Sequence, residues 1–259
     1  MNTESTPSFY VVVHEPGAEH PALPTWANDS TNPAGLAEDY DMALISRQDI
    51  AEVPGAYQLL NVLSMAECWN FIYLSESLGY LPDAAVSLPR EVRHNDSFTW
   101  VTDEQTDQLI WQRMQHLASE KLEIFAHKQP TGLNARFRFY RYGTGDYFKE
   151  HGDGAWPGSR VIEKTLVPNA YSDSYSMMTV LLFLNDDFEG GATRFLVNAD
   201  DLTQPAREGS NVAAVDVRTP AGSVLCFPHG HHPLQCIHSS QPIIKGTKYI
   251  IRTDMLFEL

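Results

Sequence analysis

Cysteine is nearly missing from this chain. Cys68, Cys226 and Cys236 are odd in number and have no C-x-x-C spacing, which excludes a disulfide framework or a zinc ribbon. They read as reduced, buried small apolar residues. Basic residues are scarce as well: 18 Lys and Arg stand against 33 Asp and Glu, for a formal net charge of −15. A nucleic acid is held through its phosphates by clustered Lys and Arg, so DNA and RNA are not expected partners. No apolar run approaches the roughly 20 residues that span a bilayer, and no membrane partner is expected. The short run "FYVVV" has no basic segment before it, so neither a secretory leader nor an Arg-rich transit peptide is read, and a cytoplasmic location is the expectation. Internal repeats and low-complexity tracts are absent too.

What is there fits one elaborated domain of ordinary globular composition in 259 residues. Residues 1–55, rich in Pro, Gly, Asn and Asp apart from a strand-like run at 9–13, read as an irregular N-terminal arm. A helical buttress is expected over 56–128. Ser64 and Glu67 make a capping box for a first helix with Met65, Cys68, Trp69 and Ile72 at helical spacing, ending near Gly79. Thr102 and Gln105 mark a second helix with a stripe of Leu109, Ile110, Met114 and Leu117. From Asn134 to residue 258 the texture is all-β: "ARFRFYRYG", "MMTVLLFLN", "GATRFLV", "AAVDV", "SVLCFP" and "KYIIRTDMLFEL" alternate or run apolar between turn residues. The expected fold is therefore mainly β, a sandwich or barrel with flanking helices.

The segment "YFKEHGDG" carries the first chemistry. In an extended chain, positions two apart share a face, so His151 and Asp153 can offer an imidazole and a carboxylate to one point. Two histidines and one carboxylate with open positions suit non-haem Fe(II), so a distant second histidine is required. "FPHGHHPLQCIH" supplies four: His229, His231, His232 and His238. His238 is favoured because Lys248 follows ten residues later, across a Pro/Gly turn that can return its ammonium to the metal pocket. There it would bind the far carboxylate of a chelating 2-oxo acid. The other three read as a solvated turn.

With these residues the chain resembles the 2-oxoglutarate- and Fe(II)-dependent dioxygenases, in particular the prolyl 4-hydroxylase-like branch. The resemblance covers about residues 134–258, and more weakly the helices from 56, which makes 56–259 the dioxygenase domain. "YRYGTGDYFKEHGD" is similar to the family's lead into its first ligand, and "LLFLNDDFEGGATRF" to its strand-turn segment. The resemblance implies a double-stranded β-helix, or jelly roll. It implies His151, Asp153 and His238 as iron ligands and catalytic centre, with Lys248, Tyr142 and Thr193 on the cosubstrate. O₂ would be the oxidant and ascorbate a candidate reductant. The implied reaction is hydroxylation of a C–H bond with succinate and CO₂ as coproducts.

Substrate residues are less constrained by sequence. Arg93 and Trp100 lie between the helices, Trp156 and Arg160 follow the H-x-D segment, and all four are expected at a substrate lip. Collagen-type prolyl hydroxylases have Trp six residues beyond the cosubstrate Lys, whereas this chain has Asp254. That departure puts a polyproline groove in doubt and predicts a carboxylate that draws cationic substrates. A peptide or protein side chain is the expected substrate, with a small molecule or free amino acid as the alternative. A jelly-roll metal-binding protein without turnover is a second alternative, since a fold does not fix a function.

Overall fold

The computed structural model describes residues 8–84 and 88–259. Two facing β-sheets, one ten-stranded and one six-stranded, make a double-stranded β-helix. The larger sheet runs, neighbour by neighbour, Phe9–Glu15, Leu23–Asn28, Asp96–Val101, Arg136–Tyr142, Lys248–Glu258, Ser174–Phe183, Val224–Pro228, Tyr57–Leu60 and Ser46–Asp49, while Pro130–Leu133 pairs with the far part of Lys248–Glu258. The smaller sheet orders Asp201–Pro205, Thr193–Asn198, Ile237–Ser240, Tyr147–His151 and Arg93–His94, with Val212–Val217 also on Thr193–Asn198.

Because successive side chains on a strand point to opposite faces, the central strands of the larger sheet build two cores at once. On one face Phe137, Phe139, Val180, Leu182, Ile251 and Met255 pack with residues of two helices, α1 (Met65–Leu78) and α2 (Glu104–Ala118). On the other face Tyr140, Tyr142, Leu181, Phe183 and Ile250 meet Phe195 and Val197 of the smaller sheet. The chemistry lies between the sheets, and the helices brace the opposite side.

Local signals account for both helices. Ser64 caps α1, its side chain accepting from the Glu67 amide while Glu67 reaches back to the Ser64 amide, and Gly79 ends the helix at φ +89°. The stripe is corrected in part: Cys68 and Ile72 are buried with Phe71 and Leu74, but Met65 and Trp69 face solvent. In α2 the cap is Asp103, whose carboxylate accepts from the Thr106 amide; Thr102, the expected cap, donates to the Ala135 carbonyl instead.

Two further expectations fail here. The arm described as irregular carries strands, and Phe9–Glu15 and Leu23–Asn28 extend the larger sheet; residues 1–7 lie outside the described residues. Leu23, Thr25 and Ala27 alternate inward, and polar Thr25 in a buried slot obscures that period in the sequence; its hydroxyl is satisfied by the Glu15 carboxylate. Trp100 is no lip residue. It is only 1% exposed in the helix-side core, where its indole N–H donates to Asn28 Oδ1 at 2.7 Å.

Candidate active site

Strand pairing brings the distant histidines together. Ile237–Ser240 lies antiparallel to Tyr147–His151 with His238 directly opposite His151, and their ring centroids are 4.3 Å apart. Asp153 follows two residues beyond His151, just past the strand end. One ligand-type atom from each of His151, Asp153 and His238 falls within 4.8 Å of the others.

The rings are oriented from behind. His151 Nδ1 lies 2.7 Å from the Lys149 carbonyl and His238 Nδ1 lies 3.3 Å from that of Cys236. A carbonyl only accepts, so Nδ1 carries the proton in both and each Nε2 lone pair faces inward. Phe148 stacks on His151 at 3.6 Å between centroids, and Phe227 meets His238 edge-on at 4.7 Å. Burial pushes His238 down to about 4 and lowers His151. Burial works against the charge of Asp153, but the Arg252 guanidinium and both imidazoles hold its carboxyl well below the usual range. Its Oδ2 accepts from Thr179 Oγ1 at 2.6 Å and lies 3.4 Å from Arg252 Nε, which leaves Oδ1 for a metal. Two inward imidazole nitrogens and a fixed carboxylate oxygen beside an open pocket fit Fe(II).

The pocket extends from this triad between the sheets. Lys248, Ile250 and Arg252 share one face of the strand Lys248–Glu258, and directly opposite them on Arg136–Tyr142 stand Tyr142, Tyr140 and Arg138; all six line the pocket. Lys248 is 1% exposed, and Nζ donates to the Gly191 carbonyl at 2.8 Å and to Ser240 Oγ at 3.1 Å. Burial, with Arg218 adding repulsion, pushes it down to about 7. An ammonium has three N–H groups, so one remains for a ligand. The Gly190–Gly191 turn sets that carbonyl: both residues have positive φ, and a Cβ on Gly190 would lie 2.3 Å from the Pro242 carbonyl oxygen.

Of the residues expected from sequence, the pocket gathers His151, Asp153, His238, Lys248, Tyr142, Thr193, Arg93 and Trp156. Arg160 stands elsewhere, in a cleft beside α2, where Nη2 pairs with Asp107 at 2.6 Å. Asp254 is corrected too. At 1% exposure it offers no open carboxylate, because its Oδ1 lies 3.1 Å from Arg252 Nη2, although not aligned for a hydrogen bond. His231 is exposed as expected of a turn, but His229 and His232 are buried, and His229 Nδ1 lies 2.9 Å from Thr179 Oγ1, behind Asp153.

Arg138, Tyr140 and Thr179 went unassigned by sequence reasoning, and Arg252, read from sequence as the runner-up to Lys248 for the far carboxylate, is instead held by Asp153 and Asp254. Arg138 and Tyr140 were recoverable from "RFRFYRY", where they stand four and two positions before Tyr142. Thr179 carries no comparable signal.

No protein-family model matches this sequence, and no curated protein matches it significantly. Solved structures do resemble it. A Trichoplax adhaerens prolyl hydroxylase in complex with a hypoxia-inducible-factor oxygen-degradation-domain peptide has a TM-score of 0.52 at 16% identity, over 79% of this chain and 84% of that one. A Pseudomonas putida prolyl-4-hydroxylase gives 0.48 at 14%, over 78% and 92%. A collagen prolyl hydroxylase of Paramecium bursaria Chlorella virus-1, in a 2-oxoglutarate complex, gives 0.45 at 15%, over 83% and 97%. The likeness to the Trichoplax protein shows that the two share the double-stranded β-helix fold.

Proposed function

We propose that this chain is an Fe(II)- and 2-oxoglutarate-dependent dioxygenase that hydroxylates a C–H bond of a peptide or protein side chain. One observation carries the reading: His151, Asp153 and His238 converge in the same pocket that holds the buried ammonium of Lys248. A cation without a carboxylate partner among the described residues is costly to bury, and a dicarboxylate cosubstrate supplies what it lacks. When bound, Fe(II) with 2-oxoglutarate and O₂ supplies the oxidation, with succinate and CO₂ as coproducts, and ascorbate belongs to the same proposal as a reductant.

The chain's own residues bind and position. His151 and His238 present Nε2, Asp153 presents Oδ1, and Lys248 directs an N–H at the far carboxylate. Tyr142 and Thr193 close that end of the pocket, while Tyr140, Phe148, Leu181 and Ile250 exclude water from the reacting carbon. The peptide reading takes its support from the peptide bound in the Trichoplax protein.

Anaerobic Fe(II) and 2-oxoglutarate should give a visible charge-transfer band, lost in His151→Ala and in His238→Ala. A protein that binds Fe(II) but shows no band with 2-oxoglutarate would overturn the reading. A band lost in His231→Ala and kept in His238→Ala would move the third ligand.

A further inference from the structure

The charge of the pocket runs against that of the molecule. Four cationic side chains, Arg93, Arg138, Lys248 and Arg252, line it with a single carboxylate, Asp153, in a chain of net charge −15. Lys248 is the cation at the cosubstrate end, and Arg252 is held by Asp153 and Asp254. Arg93 donates to Ser97 Oγ at 3.0 Å and lies over the Tyr140 ring. Arg138 remains. Among the described residues it has no hydrogen bond or ion pair, and its guanidinium carbon lies 5.9 Å from the ring of Trp156.

Arg138 also stands directly opposite Arg252 across the strand pair, a juxtaposition of like charges that is unfavourable in a sheet. Burial and the adjacent Arg252 push its guanidinium below the usual range. Asp254 and Glu15 act on it only through space and no carboxylate is bonded to it, so a ligand carboxylate is the partner that completes it. Four residues of strand, about 13 Å, separate the Lys248 level from the Arg138 level, with Ile250 and Tyr140 between them. A five-carbon dicarboxylate that also reaches the triad leaves the Arg138 end free.

We infer that Arg138 is a specificity residue that binds a carboxylate of the substrate, beside the exposed face of Trp156, so that the enzyme acts on acids. The substrate is then a free amino or organic acid, or a peptide presenting its C-terminal carboxylate. This rests on the dioxygenase reading above and reverses the cationic preference expected from Asp254.

The test uses full-length protein loaded anaerobically with Fe(II) and 2-oxoglutarate. The charge-transfer band shows first whether the cosubstrate complex forms; without it, the dioxygenase reading fails, and this inference with it. The loaded protein is then titrated calorimetrically with the common L-amino acids, each also as its amide, and with dipeptides carrying free or amidated C-termini. Expected is binding of at least one acid, with its amide ten- to a hundredfold weaker. In Arg138→Gln the acid should fall to the level of the amide while the band still forms, and Arg138→Lys should restore part of the difference. Dipeptide acids equalling the free acid would assign a peptide C-terminus, and free acids alone a small molecule. Arg138→Gln should also raise the melting temperature of the ligand-free protein, since it removes an uncompensated cation; a residue with a structural role would do the opposite. The inference is overturned if acids and amides bind alike, if no probe binds a protein that shows the band, or if Arg138→Gln weakens 2-oxoglutarate instead.

Discussion

At the scale of single residues, Lys248 is the most sensitive point. A charge-assisted pair to a buried carboxylate contributes roughly 1.5–3 kcal/mol, so Lys248→Ala should weaken 2-oxoglutarate about ten- to a hundredfold and leave metal affinity near wild type, as equilibrium titrations of each would show. Its displaced titration gives a pH dependence with a definite sign. In the empty pocket the ammonium loses its proton at about 7, and the cosubstrate needs it charged. Cosubstrate affinity should therefore fall as pH rises above about 7, by up to about tenfold per unit, with proton uptake on binding measurable in buffers of different ionisation heat. Stability runs the other way. The folded value lies below the unfolded 10.5, so the buried charge costs stability fully below about 7 and progressively less as pH rises toward 10.5. Lys248→Met should then raise the melting temperature more at pH 6 than at pH 9, and an equal gain at both would place the titration elsewhere.

These residues also mark how far the sequence could be read. His151, Asp153, His238 and Lys248 were legible because short, fixed spacings tie them to one strand end and one hairpin. The Thr179 and His229 pair behind Asp153 depends on cross-strand register, which no local pattern encodes. Asp254 misled because its position along the chain was right and its depth was not.

At the scale of elements, Glu67, the reciprocal member of the α1 capping box, also joins the two helices. Arg113 of α2 donates through Nη2 to Glu67 Oε1 at 2.8 Å and through Nη1 to Oε2 at 3.0 Å, and binds the carbonyls of Val62 and Ala37 as well. Both side chains are almost fully buried, at 1% and 4% exposure. Removing one member of such a pair leaves an uncompensated charge, so Glu67→Ala should cost about 3–5 kcal/mol in urea unfolding. Met65→Ala and Trp69→Ala, on the exposed side, should stay within about 0.5 kcal/mol. Helix limits were legible from caps, whereas the inward face was not: a helix against a sheet that already carries large aromatics buries Cys68, Phe71 and Ile72 and leaves Trp69 out.

At the scale of the whole molecule, a negative exterior surrounds a positive pocket. An acidic ligand is repelled on approach and attracted on arrival. Between 10 mM and 150 mM salt the Debye length falls from about 30 Å to about 8 Å, which screens the exterior far more than a pocket between two sheets. Association of 2-oxoglutarate, followed by stopped flow, should therefore quicken with salt over this range while its dissociation rate changes little. Slower association in salt would mean that the pocket's own field dominates at long range.

The double duty of the strand Lys248–Glu258 also governs how the gene can change length. Alternate residues of this strand serve the pocket and the helix-side core, so inserting or deleting one codon inside it would turn every residue on one side of the change to the opposite face, bringing core side chains such as Ile251 into the catalytic space and turning pocket side chains such as Arg252 toward α1 and α2. No compensating substitution at a single site reverses that exchange. Length variation among descendants of this sequence should then gather in the turns, and in a library of single-codon insertions and deletions this strand should be an interval with no survivors.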